Sequence, residues 1–379
     1  MIYHLLDNYL QSQSDAAGAL RALRYITVRS SLALLLGFGL SLLIGERVIE
    51  ALRRLRVGQF IRRSEGDKAI SLFEMHAAKE GTPTMGGILI LIATLIPVAL
   101  LCDWKQPVVG LAVAMALGFS GIGFWDDYLK VVRKNSKGLN ARAKLILQVL
   151  LGLAFGYLFA FGGFGVRYHL VPGWGSDGVA LPFLKQAAFS LGWMYIFYAA
   201  LVLTATSNAV NLSDGVDGLA IGVSISVALC LGVIAYLVGR TDMAAYLIVP
   251  HVPGAGELAV LMSALVGAGL GFLWFNSHPA SVFMGDTGSM MLGGVMGATA
   301  LLLKQEFLLA IVGGIFVIEA LSVIVQVTSF RLFGKRAFRM SPLHHHFERC
   351  GWAESKITTR FWILSVLLAL VGLSALKLR

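Results

Sequence analysis

The sequence predicts an all-α, polytopic integral membrane protein with about ten transmembrane helices and both termini on the outer side. Three observations carry this. Of 379 residues, 57% are hydrophobic and only 14% are charged, whereas soluble domains carry about 25% charged residues. Apolar runs of about 20 residues, the length a bilayer core demands of a helix, recur along the whole chain. The breaks between them hold residues that are costly at membrane depth. The stretch N-A-V-N-L-S-D-G-V-D-G-L-A at 208–220 packs Asn208, Asn211, Asp214 and Asp217 between two such runs. An ionisable side chain there costs about 2.5–3.5 kcal/mol on insertion scales and marks a functional site until shown otherwise.

Spans are expected near 22–45, 84–102, 108–126, 145–165, 187–207, 218–238, 258–275, 288–304, 307–330 and 359–376. The first is read as retained, because no A-x-A-like cleavage site follows its apolar stretch at 32–44. The polar turn Lys304-Gln305-Glu306 separates the eighth from the ninth. Loops after odd-numbered spans hold twenty Lys and Arg (eight at 46–83, six at 127–144, six at 331–358). The other connections hold only Lys105, Arg167, Lys185, Arg240 and Lys304. The positive-inside rule therefore places the odd loops in the cytoplasm. The chain reads as one transmembrane domain, 1–379. Its cytoplasmic loops lie near 46–83, 127–144, 208–217, 276–287 and 331–358, and a periplasmic hairpin or loop lies near 166–186, where Pro172, Pro182 and several glycines cluster. Pairs at G-x-x-x-G spacing (Gly152/Gly156, Gly267/Gly271, Gly293/Gly297) are expected to pack helices closely. Cys102, Cys230 and Cys350 share no short spacing and read as packing residues or free thiols. The net charge of +10 suits lipid headgroups and phosphorylated substrates, and equally serves as topology signal.

The polar clusters all fall in or beside the cytoplasmic loops, which suggests one site on that face. A transport path would instead favour polar groups near the bilayer midplane. Asp126-Asp127 ends the third span. Adjacent helical carboxylates point about 100° apart, and Lys130 follows at helical spacing. They suit a general base or nucleophile beside a metal, or an interfacial acid pair satisfied by the lysine. Asp286, in F-M-G-D-T-G-S (283–289), stands between glycines before a helix whose free N–H groups favour phosphate. One carboxylate with water and phosphate oxygens is a common Mg²⁺ shell; a helix cap is the alternative. Phe283 is placed to stack on a base, or to pack. Asn208, Asn211, Asp214 and Asp217 offer hydrogen bonds to a nucleobase or sugar, or form Asx-turns. The run K-E-G-T-P-T-M-G-G (79–87) is no P-loop; it reads as a turn and helix start, with Lys79 available to a phosphate. Lys144 begins the fourth span, where a snorkelling membrane anchor is the commoner explanation. His344-His345-His346, in S-P-L-H-H-H-F-E (341–348), converge poorly on one zinc. They suit phosphate binding or proton transfer near neutral pH, or a solvated loop.

Taken together, K-E-G-T-P-T-M-G-G, D-D-Y-L-K, N-A-V-N-L-S-D-G-V-D-G-L-A, V-F-M-G-D-T-G-S and S-P-L-H-H-H-F-E resemble the motifs of the polyprenyl-phosphate N-acetylhexosamine-1-phosphate transferases. Among these the histidine element is similar to that of members acting on muramoyl-pentapeptide. The motifs run from residue 79 to 348 and the ten-span count agrees. The one small departure is Glu80, where relatives often carry a basic or small residue. The resemblance implies transfer of phospho-N-acetylmuramoyl-pentapeptide from its UDP carrier to undecaprenyl phosphate, giving lipid I and UMP with Mg²⁺ as cofactor. It implies an enzyme of the bacterial inner (plasma) membrane, usually dimeric, with no nucleic-acid partner. By motif match Asp286 is the metal ligand, and Asp126, Asp127 and His345 join it as catalytic residues. Asn208, Asn211, Asp214, Asp217, Asn276 and Phe283 line the nucleotide side. Lys79, Thr84, Lys130, Lys144, His344 and His346 hold phosphate or sugar. The rival readings are a related UDP-N-acetylglucosamine transferase and, from another class, a lipid flippase or transporter.

Overall fold

The computed structural model describes residues 21–55, 81–131, 138–165, 175–181 and 188–377. Its helices are α1 (Ile26–Arg54), α2 (Gly87–Leu101), α3 (Pro107–Val131), α4 (Ala141–Phe161), α5 (Tyr195–Ser213), α6 (Leu219–Val238), α7 (Thr241–Leu247), α8 (Gly256–Asn276), α9 (Gly285–Leu303), α10 (Glu306–Val312), α11 (Gly314–Phe333), α12 (Leu343–Glu348) and α13 (Glu354–Ala375). Strands β1 (Gly178–Ala180) and β2 (Ala188–Ser190) pair antiparallel. Eight of the described helices, α1, α3, α4, α5, α6, α8, α11 and α13, are long and apolar enough to cross a membrane. The fold is all-α and polytopic, as expected.

Small residues bring these helices together. On α1 the buried set Arg29, Ala33, Gly37, Ser41, Gly45, Ile49 and Leu52 recurs every three or four residues and forms one stripe. Helix α8 lies along it: a Cβ on Gly37 would stand 2.7 Å from the Ala264 carbonyl oxygen. All three G-x-x-x-G pairs pack helices. Gly152 and Gly156 of α4 meet Ala200 and Ile196 of α5, Gly267 and Gly271 of α8 meet Leu34 and Ser41 of α1, and Gly293 and Gly297 of α9 meet Thr206 of α5. Every residue of α9 from Thr287 to Leu303 is buried, so this helix is the axis of the bundle. It packs against α2, α3, α5 and α6.

Several boundaries differ from the sequence expectation: the first helix runs on to Arg54 rather than ending near 45, so part of the expected 46–83 loop is helical. The fifth helix starts at Tyr195 rather than near 187, because residues 188–190 extend to pair with 178–180. It runs on to Ser213, so Asn208 and Asn211 are helical rather than in a loop. The ninth expected span is two helices, α10 and α11, broken at Gly313-Gly314; two glycines in succession remove the local preference for continuing a helix. The end of the bundle carrying the N-termini of α1 and α8 is tied by a buried ion pair. Arg29 Nη1 and Nη2 donate to Glu257 Oε2 and Oε1 at 2.6 and 2.7 Å, and Arg29 also reaches the Leu101 carbonyl at 3.0 Å. Lys304, read from sequence as part of a polar turn, is fully buried there. Its ammonium bonds the Ser176 carbonyl and lies over the Tyr195 and Phe159 rings at 4.0 and 4.6 Å.

Candidate active site

At the opposite end, the last turns of α3, α5 and α8 meet the first turns of α4, α6, α9 and α13. Each apolar run ends here in polar residues, so the polar clusters gather at one level. The junction between α3 and α9 is tight. Gly123 presses on the backbone of α9, and a side chain there would strike the Asp286 carbonyl oxygen. Asp126 and Asp127 follow it and diverge, as adjacent helical residues must.

Asp127 turns to α9 itself. Its Oδ1 accepts from Asp286 N at 3.2 Å, and its Oδ2 accepts from Thr287 N at 2.9 Å and Thr287 Oγ1 at 2.7 Å. The first free N–H groups of α9, expected from sequence to face a phosphate, therefore go to a carboxylate of α3. An acid at a helix N-terminus is favoured by both hydrogen bonding and the helix dipole. Asp126 turns the other way. Its Oδ1 accepts Leu139 N at 2.6 Å, and its Oδ2 lies 2.7 Å from Lys130 Nζ and 3.5 Å from Lys144 Nζ.

Asp286 is where these groups converge. Its Oδ2 receives Lys130 Nζ at 2.9 Å and Lys144 Nζ at 2.8 Å, and its Oδ1 receives Asn211 Nδ2 at 2.8 Å. The Asn211 amide also reaches Ser289 Oγ at 2.8 Å. Asn208, one turn earlier on α5, does not join them: its amide donates to Gln148 Oε1 and to the Thr204 carbonyl. Asp214 follows the end of α5 and retains some solvent contact. Burial, then the Asp286, Asp127 and Asp217 carboxylates, push its carboxyl up to about 8.

The glycine-rich run before α2 docks on the segment before α9. Phe283 N donates to the Pro83 carbonyl, Gly86 N to that of Phe283, and Gly87 N to that of Met284. At Gly285, φ is +72° and Thr84 Oγ1 lies 2.9 Å from where a Cβ would stand, with Asp127 on the same side. Only glycine meets both demands easily. Lys79 lies outside the described residues. Asn276, at the end of α8, closes the α5–α6 loop: its Oδ1 accepts Gly218 N at 3.1 Å and its Nδ2 donates to the Val282 carbonyl at 2.8 Å. Asp217 in that loop meets His278 Nδ1 at 3.1 Å.

The three histidines point three ways. His344 is fully buried. Its backbone N–H donates to Glu319 Oε1, its Nδ1 lies 3.2 Å from Glu319 Oε2, and its ring lies against Gly215. His345 Nδ1 is 2.6 Å from Glu348 Oε2, and His346 Nδ1 accepts Arg339 N at 3.1 Å. Sequence reasoning passed over Gln148, Thr287, Ser289 and Glu319. Glu319 had a legible signal, an acid inside an apolar run; the other three look like ordinary helix residues until their partners are known.

Asp126 and Asp286, which share Lys130 and Lys144, can hold a hard cation while the two ammonium groups take an oxyanion. Two ammonium nitrogens on one Asp286 oxygen mark a place of strongly negative potential. The donors are all oxygens, the set Mg²⁺ prefers.

The model of glycosyl transferase family 4 matches residues 109–304, and signature 1 of the phospho-N-acetylmuramoyl-pentapeptide-transferases matches 79–91. Relatives of that name from Maridesulfovibrio salexigens and Rhodopseudomonas palustris are 47% and 46% identical over 100% of both chains. One from Methylacidiphilum infernorum is 46% identical over 98% of this chain. Identity at this level, sustained end to end, shows that the chain belongs to the phospho-N-acetylmuramoyl-pentapeptide-transferase family.

Proposed function

We propose that the chain transfers phospho-N-acetylmuramoyl-pentapeptide from its UDP carrier to undecaprenyl phosphate, forming lipid I and releasing UMP. The observation that carries this reading is the meeting of Lys130, Lys144 and Asn211 on the Asp286 carboxylate, beside Asp126. Both substrates are phosphorylated and repel, so a site for their reaction needs cations held against buried acids. An oxygen of the lipid phosphate attacks the β-phosphorus of the donor. As that bond forms, the β-phosphorus bond to the bridging oxygen breaks, and UMP leaves with the electron pair.

The chain's own residues position this displacement. Lys130 and Lys144, gathered on Asp286, turn to the diphosphate and offset charge that grows in the transition state. Asp126, whose Oδ2 is held by the same two lysines that turn to substrate, is the acid that assists the incoming lipid phosphate, because Asp127 is taken up by α9. Asp286 and Asp126 would hold Mg²⁺, which when bound supplies Lewis-acid polarisation of the phosphoryl oxygens. Asn211, Asp214, Asp217, Asn276 and Phe283 line the nucleotide side, with Asn208 held by Gln148 one turn before Asn211. Thr84 and His345 border the diphosphate, with Lys79 and His346 as further phosphate or sugar contacts. His344 acts by holding the 214–218 loop. The site faces the cytoplasm by the positive-inside rule, since its Lys130 and Lys144 lie in the basic stretch 127–144. The working unit is a homodimer in the bacterial inner membrane.

The test is UMP release from purified protein with undecaprenyl phosphate, donor and Mg²⁺. Asp126→Asn and Asp286→Asn should each lower kcat by about 100-fold or more. Removing Mg²⁺ with chelator should abolish turnover. Activity only with UDP-N-acetylglucosamine as donor would reassign the sugar, and full activity of Asp286→Asn would make the cluster structural.

A further inference from the structure

We propose that Asp217, His278 and Glu354 form a second cation site, which takes a divalent transition-metal ion and competes with the nucleotide donor. The three residues come from three segments: the α5–α6 loop, the loop after α8 and the first residue of α13. One ligand atom from each lies within 4.8 Å of the others. His278 Nδ1 is 3.1 Å from Asp217 Oδ2 and 3.5 Å from Glu354 Oε2. A cation among the three atoms would take one ligand from each segment and so tie all three together.

The donor set also separates this site from the one at Asp286. An imidazole nitrogen with two carboxylate oxygens suits borderline ions such as Zn²⁺, Mn²⁺ or Ni²⁺, whereas an all-oxygen set suits Mg²⁺. The ligands are held from behind. Ala280 N donates to Asp217 Oδ2 at 3.2 Å, and Thr358 Oγ1 donates to the Asp217 carbonyl at 3.0 Å. Such outer contacts orient metal-binding side chains. Entry is from the His278 side, where the side chain is 46% exposed against 3% for Asp217. Three protein ligands leave the other positions to water, so the ion exchanges.

Competition with the donor rests on reading Asp217 as a nucleotide contact. A cation bound here would occupy its carboxylate and fasten the 214–218 loop to α13, which already holds the loop through Trp362 Nε1 on the Gly218 carbonyl.

Zn²⁺ is the probe. The full chain in detergent, with saturating Mg²⁺, is titrated with Zn²⁺ by calorimetry. One strong equivalent is expected, weakened about ten-fold or more by His278→Ala and by Glu354→Gln, and retained by Asp286→Asn. In the UMP-release assay Zn²⁺ should raise the donor KM several-fold with little change in kcat, and this effect should vanish in His278→Ala. Zn²⁺ uptake that is absent, or unchanged in both variants, overturns the proposal; so does an unaltered donor KM with the site filled. Wild-type protein that takes up Zn²⁺ through these residues but releases no UMP supports the cation site and strikes the transferase reading instead.

Discussion

Two neighbouring aspartates do different work because a helix turns about 100° between them. Asp127 accepts three hydrogen bonds from the start of α9, and Asp126 accepts the lysines that also hold Asp286. Asp127→Ala should therefore lose stability as well as activity, about 2 kcal/mol for an anionic cap whose donors stay buried. Asp126→Asn should lose activity while its thermal midpoint stays near wild type. Comparing midpoints in detergent separates the two, and equal losses would refute the division of roles. Asp214 adds a pH dependence. Its folded carboxyl sits at about 8 against an ordinary value of 3.8. Between these values the unfolded chain has released a proton that the folded chain keeps, so Asp214 makes stability fall as pH rises through that window. In Mg²⁺-free buffer the Tm of wild type should decline from about pH 5 to 8 more steeply than that of Asp214→Asn.

At the scale of elements, the site depends on how closely α3 meets α9. Gly123 and Gly121 stand two residues apart on α3. A Cβ at Gly123 would strike the Asp286 carbonyl oxygen, whereas a Cβ at Gly121 meets nothing within 4 Å. Gly123→Ala should push the helices apart at a cost of about 1–3 kcal/mol and shift Asp286 away from Lys130, lowering kcat at least ten-fold by rough analogy with misplaced catalytic groups. Gly121→Ala should behave as wild type in the same assay. The helices themselves were legible, because a bilayer core selects apolar runs of fixed length, and so was the gathering of polar clusters at one end. Direction of the side chains was not. Nothing at 126–127 shows which carboxylate meets a helix more than 150 residues later, and the isolated run L-H-H-H-F-E does not show that His344 faces Glu319 and Gly215 while His345 faces Glu348. Those directions are set by tertiary neighbours. The start of the fifth helix was misplaced for a related reason. Residues 188–190 are apolar enough to continue a span, but they pair with 178–180, and strand pairing across a connection leaves no periodic trace in one sequence.

Across the whole molecule, chemistry and anchoring are kept at opposite ends. The acids and lysines of the active site lie near the N-terminus of α9, while Arg29 and Glu257 join the N-termini of α1 and α8 at the far end. Both side chains of that pair are almost fully buried, at 3% and 8% exposed. The pair fastens α1 to α8, and Asp103 N adds a third donor to Glu257 at 2.8 Å. Removing one partner leaves a buried charge without its counter-ion, which costs about 3–5 kcal/mol, whereas replacing both by apolar groups of similar volume is often close to neutral. Arg29→Met should therefore lower the thermal midpoint strongly, and Arg29→Met combined with Glu257→Leu should recover much of the loss. Because the pair is remote from Asp286, donor KM and kcat of the folded fraction should match wild type in both variants. A thermal scan and UMP-release kinetics on the same preparations measure each effect. If the double variant were no more stable than the single one, the pair would be a net source of stability rather than a device that fixes which helices meet. If donor KM rose in the single variant, the two ends of the bundle would be coupled through α8, which runs from Glu257 to the Asn276 that holds the α5–α6 loop.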